Sequence, residues 1–295
     1  MNARKFFTDM ASGAAIGIAM IVPGVSGGTI AVLLNVYDDL IGALGNITKE
    51  FKKSMSLIVP VLLGAVIAFA AIYFPLKYAL EYAPLPTVLL FAGLMIGSIP
   101  KLITDSRKLG FTKINVVSVI VPFLIIIGIC VAKSFFEIPA ADLTASMPMW
   151  GYFVLLLVAV LGSCALVVPG ISGSMLLMIL GYYEPLFETI HGLLENFGHS
   201  TLILVIFSIG LILGFFSIAK LMKFFLNKFP RGTRWAIVGF VLGSIPALFI
   251  TFNGNFPDAP AIDGLQVGLG IVLCVLGAIA SYAFTAFAEN KLKKD

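Results

Sequence analysis

Charge is what this chain has least of. Asp, Glu, Lys and Arg make up 12% of its 295 residues, about half the share of a soluble domain. With 60% hydrophobic residues and a mean hydropathy of +1.07, two ordinary water-soluble domains are excluded. Cysteine is scarce as well. Cys130, Cys164 and Cys274 sit singly inside apolar runs, which excludes a disulfide framework or a cysteine metal site and predicts buried thiols. His191 and His199 lie in one loop without further ligands, a poor metal site. A nucleotide-binding loop and a nucleophile elbow are both missing, so neither an ATP-driven pump nor a soluble-type enzyme is expected. No metal, cofactor or nucleic acid is called for. The net charge of +4 reads as loop bias that orients a membrane protein. No A-x-A-like site follows Arg4 and Lys5, so no cleavable signal peptide is expected.

What the chain does have is long apolar runs, at about 10–44, 55–76, 85–100, 114–133, 150–183, 201–222, 235–250 and 265–288. A spanning helix needs about 20 residues. Six runs suit one crossing each, with 85–100 and 235–250 on the short side. The 10–44 and 150–183 runs are too long for one helix, and each is broken by a Pro-Gly-x-Ser-Gly stretch.

Those two breaks are copies. Setting Pro23 on Pro169 aligns Gly24, Ser26, Gly27, Leu34, Tyr37 and Leu40 with identical residues 146 positions later. The same offset lays Gly97-Ser98-Ile99-Pro100 on Gly243-Ser244-Ile245-Pro246, and Gly64 on Gly210. The chain therefore reads as a duplication, with a first repeat at 1–133, a linker at 134–149, a second repeat at 150–288 and a tail at 289–295.

Loop charge gives each repeat an orientation. Arg and Lys crowd the N-terminus, the 45–54, 101–113 and 220–234 loops and the tail. Residues 134–149, 184–200 and 251–264 hold none. The basic group, both termini included, is expected on the cytoplasmic side. The 10–44 run then starts and ends inside, and 150–183 starts and ends outside. Each reads as a re-entrant hairpin with three crossings after it. The expected fold is an all-α polytopic membrane protein, an inverted-topology repeat with six transmembrane crossings and two re-entrant helical hairpins.

At the hairpin tips, Pro23 and Gly24 end one limb, taken as residues 11–22, and Ser26-Gly27-Gly28-Thr29 opens the next. Free N–H groups, a positive dipole end, two hydroxyls and bare glycine backbone make an anion-accepting arrangement. Pro169, Gly170, Ser172, Gly173 and Ser174 repeat it. The bland alternative is that these glycines serve close helix approach and the hydroxyls cap helix ends. Asp38 and Glu184, repeat partners, are candidates for coupling to protons or another ion. Both also read as solvated helix ends. The Gly97–Pro100 and Gly243–Pro246 segments read as helix ends, and Trp150 and Trp235 as interfacial anchors. Lys220, Lys223, Arg231 and Arg234 are explained by topology, though such a cluster could attract lipid phosphates.

On Pro23-Gly24-Val25-Ser26-Gly27-Gly28-Thr29-Ile30-Ala31, and secondarily Pro169-Gly170-Ile171-Ser172-Gly173-Ser174, the chain resembles the PopT-type polyprenyl-phosphate transporter family over essentially its whole length. The resemblance implies a flippase, not an enzyme, that returns undecaprenyl phosphate from the outer to the inner leaflet of the cytoplasmic membrane. The phosphate would meet the hairpin tips while the polyprenyl tail stays among membrane lipids. Two alternatives stand beside it. A small-anion transporter would use the same tips. The membrane undecaprenyl-pyrophosphate phosphatases share inverted repeats and a Pro-Gly-x-Ser-Arg-Ser motif, but Gly27 stands where that Arg would be. Nothing acidic lies between Asp9 and Asp38, so an upstream E-x-x-x-E pair is missing too.

Overall fold

The computed structural model describes residues 3–21, 26–135, 141–143, 147–169, 173, 176–177, 180–193, 196–250, 252 and 262–292. Among them are eleven helices and no strand. In chain order they are α1 Ala3–Ile21, α2 Gly27–Leu33, α3 Tyr37–Gly45, α4 Phe51–Tyr82, α5 Pro84–Lys108, α6 Lys113–Phe135, α7 Met149–Val167, α8 Tyr183–His191, α9 Phe197–Lys228, α10 Pro230–Ile250 and α11 Gly264–Leu292. Six of these, α4, α5, α6, α9, α10 and α11, are long and apolar enough to cross a membrane. They cover the six runs from which crossings were expected. A helix satisfies its own backbone without water, which is why these apolar runs can only be helices in lipid. The protein is a polytopic, multi-pass membrane protein.

Helix ends recur along the chain. Adding 146 to the bounds of α1, α3 and α4 gives those of α7, α8 and α9. Finer detail recurs too. The exit from α2 runs through Asn35 at φ 58°, and its counterpart is Gly181 at φ 75°. Val36 N–H donates to the Ala31 carbonyl at 3.0 Å, and Tyr182 N–H to that of Leu177 at 2.9 Å. This is a Schellman-type stop, which needs a residue that tolerates the left-handed region. At the next corner the Thr87 hydroxyl donates to the Ala83 carbonyl at 2.8 Å, and the Thr233 hydroxyl to that of Phe229 at 2.8 Å. A single residue, Ala83 or Phe229, separates each pair of long helices there, and Pro84 or Pro230 opens the second.

Glycine contacts fix how the helices run. A Cβ on Gly13 would overlap the backbone of Val61, and one on Gly17 that of Ala65. Numbers rise together, so α1 and α4 lie parallel, backbone against backbone. Residues 22–50 must therefore bring the chain back to the side where α1 began. The contacts of Gly210 with Leu156 and of Gly214 with Val160 make α7 and α9 parallel in the same way. The remaining pairs cross between the halves: Gly93 and Gly97 of α5 sit on Cys274 and Ala278 of α11, and Gly239 and Gly243 of α10 on Val119 and Phe123 of α6.

Several expectations are corrected. The first limb of the first hairpin is not residues 11–22 but α1, 19 residues long, the same length as α7. Its Gly/Ala-rich middle, Met10 to Gly17, packs on α4. The return limb α2 has only seven residues, and α3 leaves it at 119°. The 10–44 run thus holds three helices, α1, α2 and most of α3, with a sharp bend between the last two. Pro100 and Pro246 lie inside α5 and α10 rather than ending them. Ser98 and Ser244 donate to the carbonyls of Met95 and Val241 at 2.6 and 2.9 Å, within their own helices. In lipid, stopping a helix frees more backbone groups than a proline does, so the helix continues. Trp235 is buried rather than interfacial, its ring nitrogen donating to the Gly110 carbonyl at 3.3 Å and its edge on Phe111. Trp150 is exposed.

Candidate functional site

The two breaks meet. Ser26 precedes α2 in extended backbone (φ −98°, ψ 131°), and its carbonyl accepts the Ile30 N–H at 3.2 Å. Its hydroxyl makes no cap bond to the helix it opens, contrary to the simplest capping pattern. Ser26 and Thr29 are both buried. Gly27 turns toward α1, where a Cβ would press on Ile16 and Met20 at 3.2 Å. Gly28 turns toward the second half: a Cβ would stand 3.3 Å from the Val167 carbonyl and 3.4 Å from Pro169. The last carbonyls of a helix have no partner within it. That of Val167, at the end of α7, accepts the buried Tyr37 hydroxyl at 2.9 Å. The first half therefore holds the broken end of the second.

Ser26, Gly27, Gly28 and Thr29 thus come together with Pro169. Gly173 is helical, and Pro23, Gly24, Gly170, Ser172 and Ser174 lie outside the described residues. Beside Gly27 and Gly28 opens a cavity of about 510 Å³ with an almost wholly apolar lining.

Asp38 lies at the edge of this assembly, in the first turn of α3, where the helix dipole favours a carboxylate. It pairs with Arg234 of α10, with side chains 46% and 37% exposed. Close by, Lys223 of α9 donates to Asn46, and Arg231 to the Leu109 carbonyl at 2.7 Å. These bonds gather the 45–54, 101–113 and 220–234 loops at one end of the molecule. At the other, His199 bonds the Leu143 carbonyl at 2.9 Å, and Ala141 N–H donates to Gly181 at 2.8 Å. Glu184 is exposed in the first turn of α8. Burial, then the neighbouring Tyr73, raises the Tyr183 phenol above its ordinary value, so it stays protonated.

Exposed ion pairs contribute about 0.2–1 kcal/mol. Arg234→Asp, which sets like charges together, is expected to lower stability by about 1 kcal/mol. Adding Asp38→Arg should recover most of it, as read by thermal unfolding in detergent. Equal stability in all three proteins would mean that the pair does not tie α3 to α10.

Sequence reasoning missed Asp9. It is 5% exposed on α1, with Lys5 at 3.3 Å. No sequence pattern marks it; only its burial does. Among the described residues, no group of three His, Cys, Asp or Glu could hold a metal.

Broken helical limbs that meet inside a bundle of crossing helices define a class, the multi-pass membrane proteins whose irregular backbone lines an internal cavity. The family model described as VCA0040-like, undecaprenyl phosphate translocase-like, matches residues 16–255. The chain belongs to that family. It is 32% identical to a polyprenyl-phosphate transporter of Staphylococcus aureus (strain NCTC 8325 / PS 47), over 96% of this chain and 98% of that one. It is 25% identical to a polyprenyl-phosphate transporter of Vibrio cholerae serotype O1 (strain ATCC 39315 / El Tor Inaba N16961), over 83% of this chain and 78% of that one. No solved structure matches.

Proposed function

We propose that the protein is a flippase for undecaprenyl or a related polyprenyl phosphate, returning it from the outer to the inner leaflet of the cytoplasmic membrane, and that it is not an enzyme. The observation that carries this reading is the junction of Gly28 with Val167 and Pro169 beside an apolar cavity, in a chain whose relatives are named polyprenyl-phosphate transporters. Buried hydroxyls and bare backbone suit a phosphate, and the apolar lining favours a lipid over a small hydrophilic anion. The headgroup would sit between the tips, among Pro23, Gly24, Ser26–Thr29, Pro169, Gly170 and Ser172–Ser174. Gly27 offers no guanidinium to stabilise phosphoryl transfer, which argues against the phosphatase.

The reading includes two inverted repeats, 1–133 and 150–288. Recurring helix ends, hydrogen bonds and parallel pairs at the 146-residue offset support it. So does the bond of Asn46, just before α4, to Lys223, near the end of α9, which sets those two helices antiparallel. Both termini would face the cytoplasm. One repeat rocking against the other would expose the headgroup site to each leaflet in turn. Asp38 and Glu184 are the residues to test for proton or ion coupling, and buried Asp9 joins them.

The deciding experiment tracks leaflet exchange of labelled undecaprenyl phosphate in proteoliposomes, with phosphate release from the pyrophosphate form measured in parallel. Exchange without release is expected; release would make the protein a phosphatase, and neither activity would turn the reading to a small anion. Orientation has its own check in a cysteine-free background. An impermeant thiol reagent added to intact cells should label Glu188→Cys and leave Lys108→Cys unlabelled, both positions being exposed. The opposite pattern would invert the topology.

A further inference from the structure

The cavity beside the tips reaches well beyond any phosphate. From Gly27 and Gly28 its lining continues down one side along Met55, Ile58 and Leu62 of α4, and along the other over Leu211, Ile212 and Phe215 of α9. Leu40, Ile41 and Leu44 of α3 floor it. Its volume of about 510 Å³ falls within the range of ligand pockets, roughly 300–1,000 Å³. A phosphate would leave nearly all of it unfilled, and water gains no hydrogen bonds there.

Two features say what kind of molecule fits. First, α4 and α9 flank the cavity with no extended packing between them. Leu62 and Ile212, one on each, are 60% and 56% exposed. Both helices cross the membrane, so the gap between them opens sideways into lipid, not into water. Second, the lining includes Gly27 and Gly28, and Gly28 adjoins Val167 and Pro169, where the polar junction begins. A ligand that enters must therefore be apolar along its length and polar at its inner tip. We infer that this groove takes the first isoprenoid units of the polyprenyl tail, entering between α4 and α9, while the phosphate lies at the Gly28–Pro169 junction. The inference rests on the flippase reading and adds a tail site to it. It makes the protein selective for chain as well as headgroup, because a groove shaped to the first isoprenoid units packs on them more closely than mobile lipid chains do, each added contact contributing dispersion attraction.

The Lys49-to-Lys53 stretch at the start of α4, and α3 below the groove, set it in the half of the membrane next to the basic loops. By loop charge that is the inner-leaflet half. This arrangement would release the lipid on the inner leaflet, tail first into the bilayer through the gap.

The test compares long-chain undecaprenyl phosphate with short-chain citronellyl phosphate in proteoliposomes. Leu62→Trp with Ile212→Trp narrows the gap from two exposed positions, so the fold is not repacked. Val66→Trp with Leu213→Trp, on the same helices but outside the lining, is the control. The wild type and the control should exchange the long lipid faster than the short one. The gap variant should lose about tenfold of the long-chain rate while keeping the short-chain rate. Undiminished long-chain exchange in the gap variant would overturn the groove. Undecaprenyl phosphate carrying a photoreactive group on its early isoprene units, bound in nanodiscs, separates the groove from the transport reading. Crosslinks within residues 55–65 and 211–216, displaced by the unlabelled lipid but not by phosphatidylglycerol, support the groove even if the wild type moves neither lipid, an outcome that would sink only the flippase. Crosslinks elsewhere, or equal displacement by phosphatidylglycerol, would assign the cavity to ordinary bilayer chains.

Discussion

Gly64→Leu is expected to leave little folded protein in the membrane. A Cβ at Gly64 would coincide with the Met10 carbonyl and press on the backbone nitrogen of Ala14 at 3.0 Å. Gly13 and Gly17 answer from α1 against Val61 and Ala65. The contact is backbone on backbone where Met10–Gly17 meet Val61–Ala65, so no side chain can rotate away. The helices must separate, and with them go α2 and the tip it carries. Overpacking costs about 1–3 kcal/mol where side chains can shift, and occasionally more; here the upper end or beyond is expected. Gly64→Ala should already be damaging. Gly128 makes the comparison. It lies in α6, another apolar spanning helix, and nothing comes within 4 Å of its Cβ position. Gly128→Ala should be neutral or gain up to about 1 kcal/mol from the helix preference of alanine. Thermal unfolding in detergent, with size-exclusion recovery, measures all three. A Gly64→Leu protein that melts with the wild type would mean that α1 and α4 do not pack as described.

The sequence marks Gly64 only as the repeat partner of Gly210, and no pattern names the helix that either Gly64 or Gly128 faces; there sequence reasoning stops. Hydropathy located all six crossings because length and composition suffice to identify a spanning helix. It said nothing about partners, because in lipid every apolar face is equivalent until a small residue permits close approach. That α5 packs on α11 and α10 on α6 is therefore invisible to it. The 146-residue register reads well as far as Pro246 and then fades, for a physical reason. Four residues link α5 to α6, but thirteen link α10 to α11. The partners of the two glycine pairs, Val119 and Cys274 or Phe123 and Ala278, stand 155 residues apart rather than 146. Nine extra residues in one connection are enough to hide the relationship of the last helices.

Proline misled in a different way. Pro23 does mark a break, since α1 ends at Ile21 and α2 starts at Gly27, while Pro100 and Pro246 do not. The difference lies in the residues around each proline. After Pro23 come two adjacent glycines among hydroxyls; no glycine follows Pro100 before Gly110, and Gly93 and Gly97 ahead of it keep α5 seated on α11. At the candidate site, the glycine and hydroxyl pattern was enough to nominate Ser26 to Thr29 and Pro169 as neighbours. It was not enough to find Tyr37 bonding Val167 or Arg234 facing Asp38, partners 130 and 196 residues away. Such bonds are properties of the assembled halves.

Gly28→Leu should separate function from folding. Among the described tip residues, Gly28 is one whose missing side chain lets the first break lie against the second. A Cβ would meet the Val167 carbonyl at 3.3 Å and Pro169 at 3.4 Å, tight but not overlapping. The neighbours must give by tenths of an ångström for alanine, and by more for leucine, whose outer carbons enter the junction itself. The strain, about 1–3 kcal/mol, falls on two chain ends instead of on the α1–α4 seam. The folded protein should survive, still in the membrane and still monodisperse. Headgroup binding should not, because leucine covers backbone that glycine leaves bare. An equal loss of binding energy is a fall of about ten- to a hundredfold in affinity, and exchange of undecaprenyl phosphate should fall with it. Gly42→Leu is the matched control: its Cβ position is open, it lies outside the cavity lining, and it should exchange lipid at the wild-type rate. If Gly28→Leu also exchanges at that rate, the phosphate does not pass the junction, and the headgroup path must be sought elsewhere in the fold.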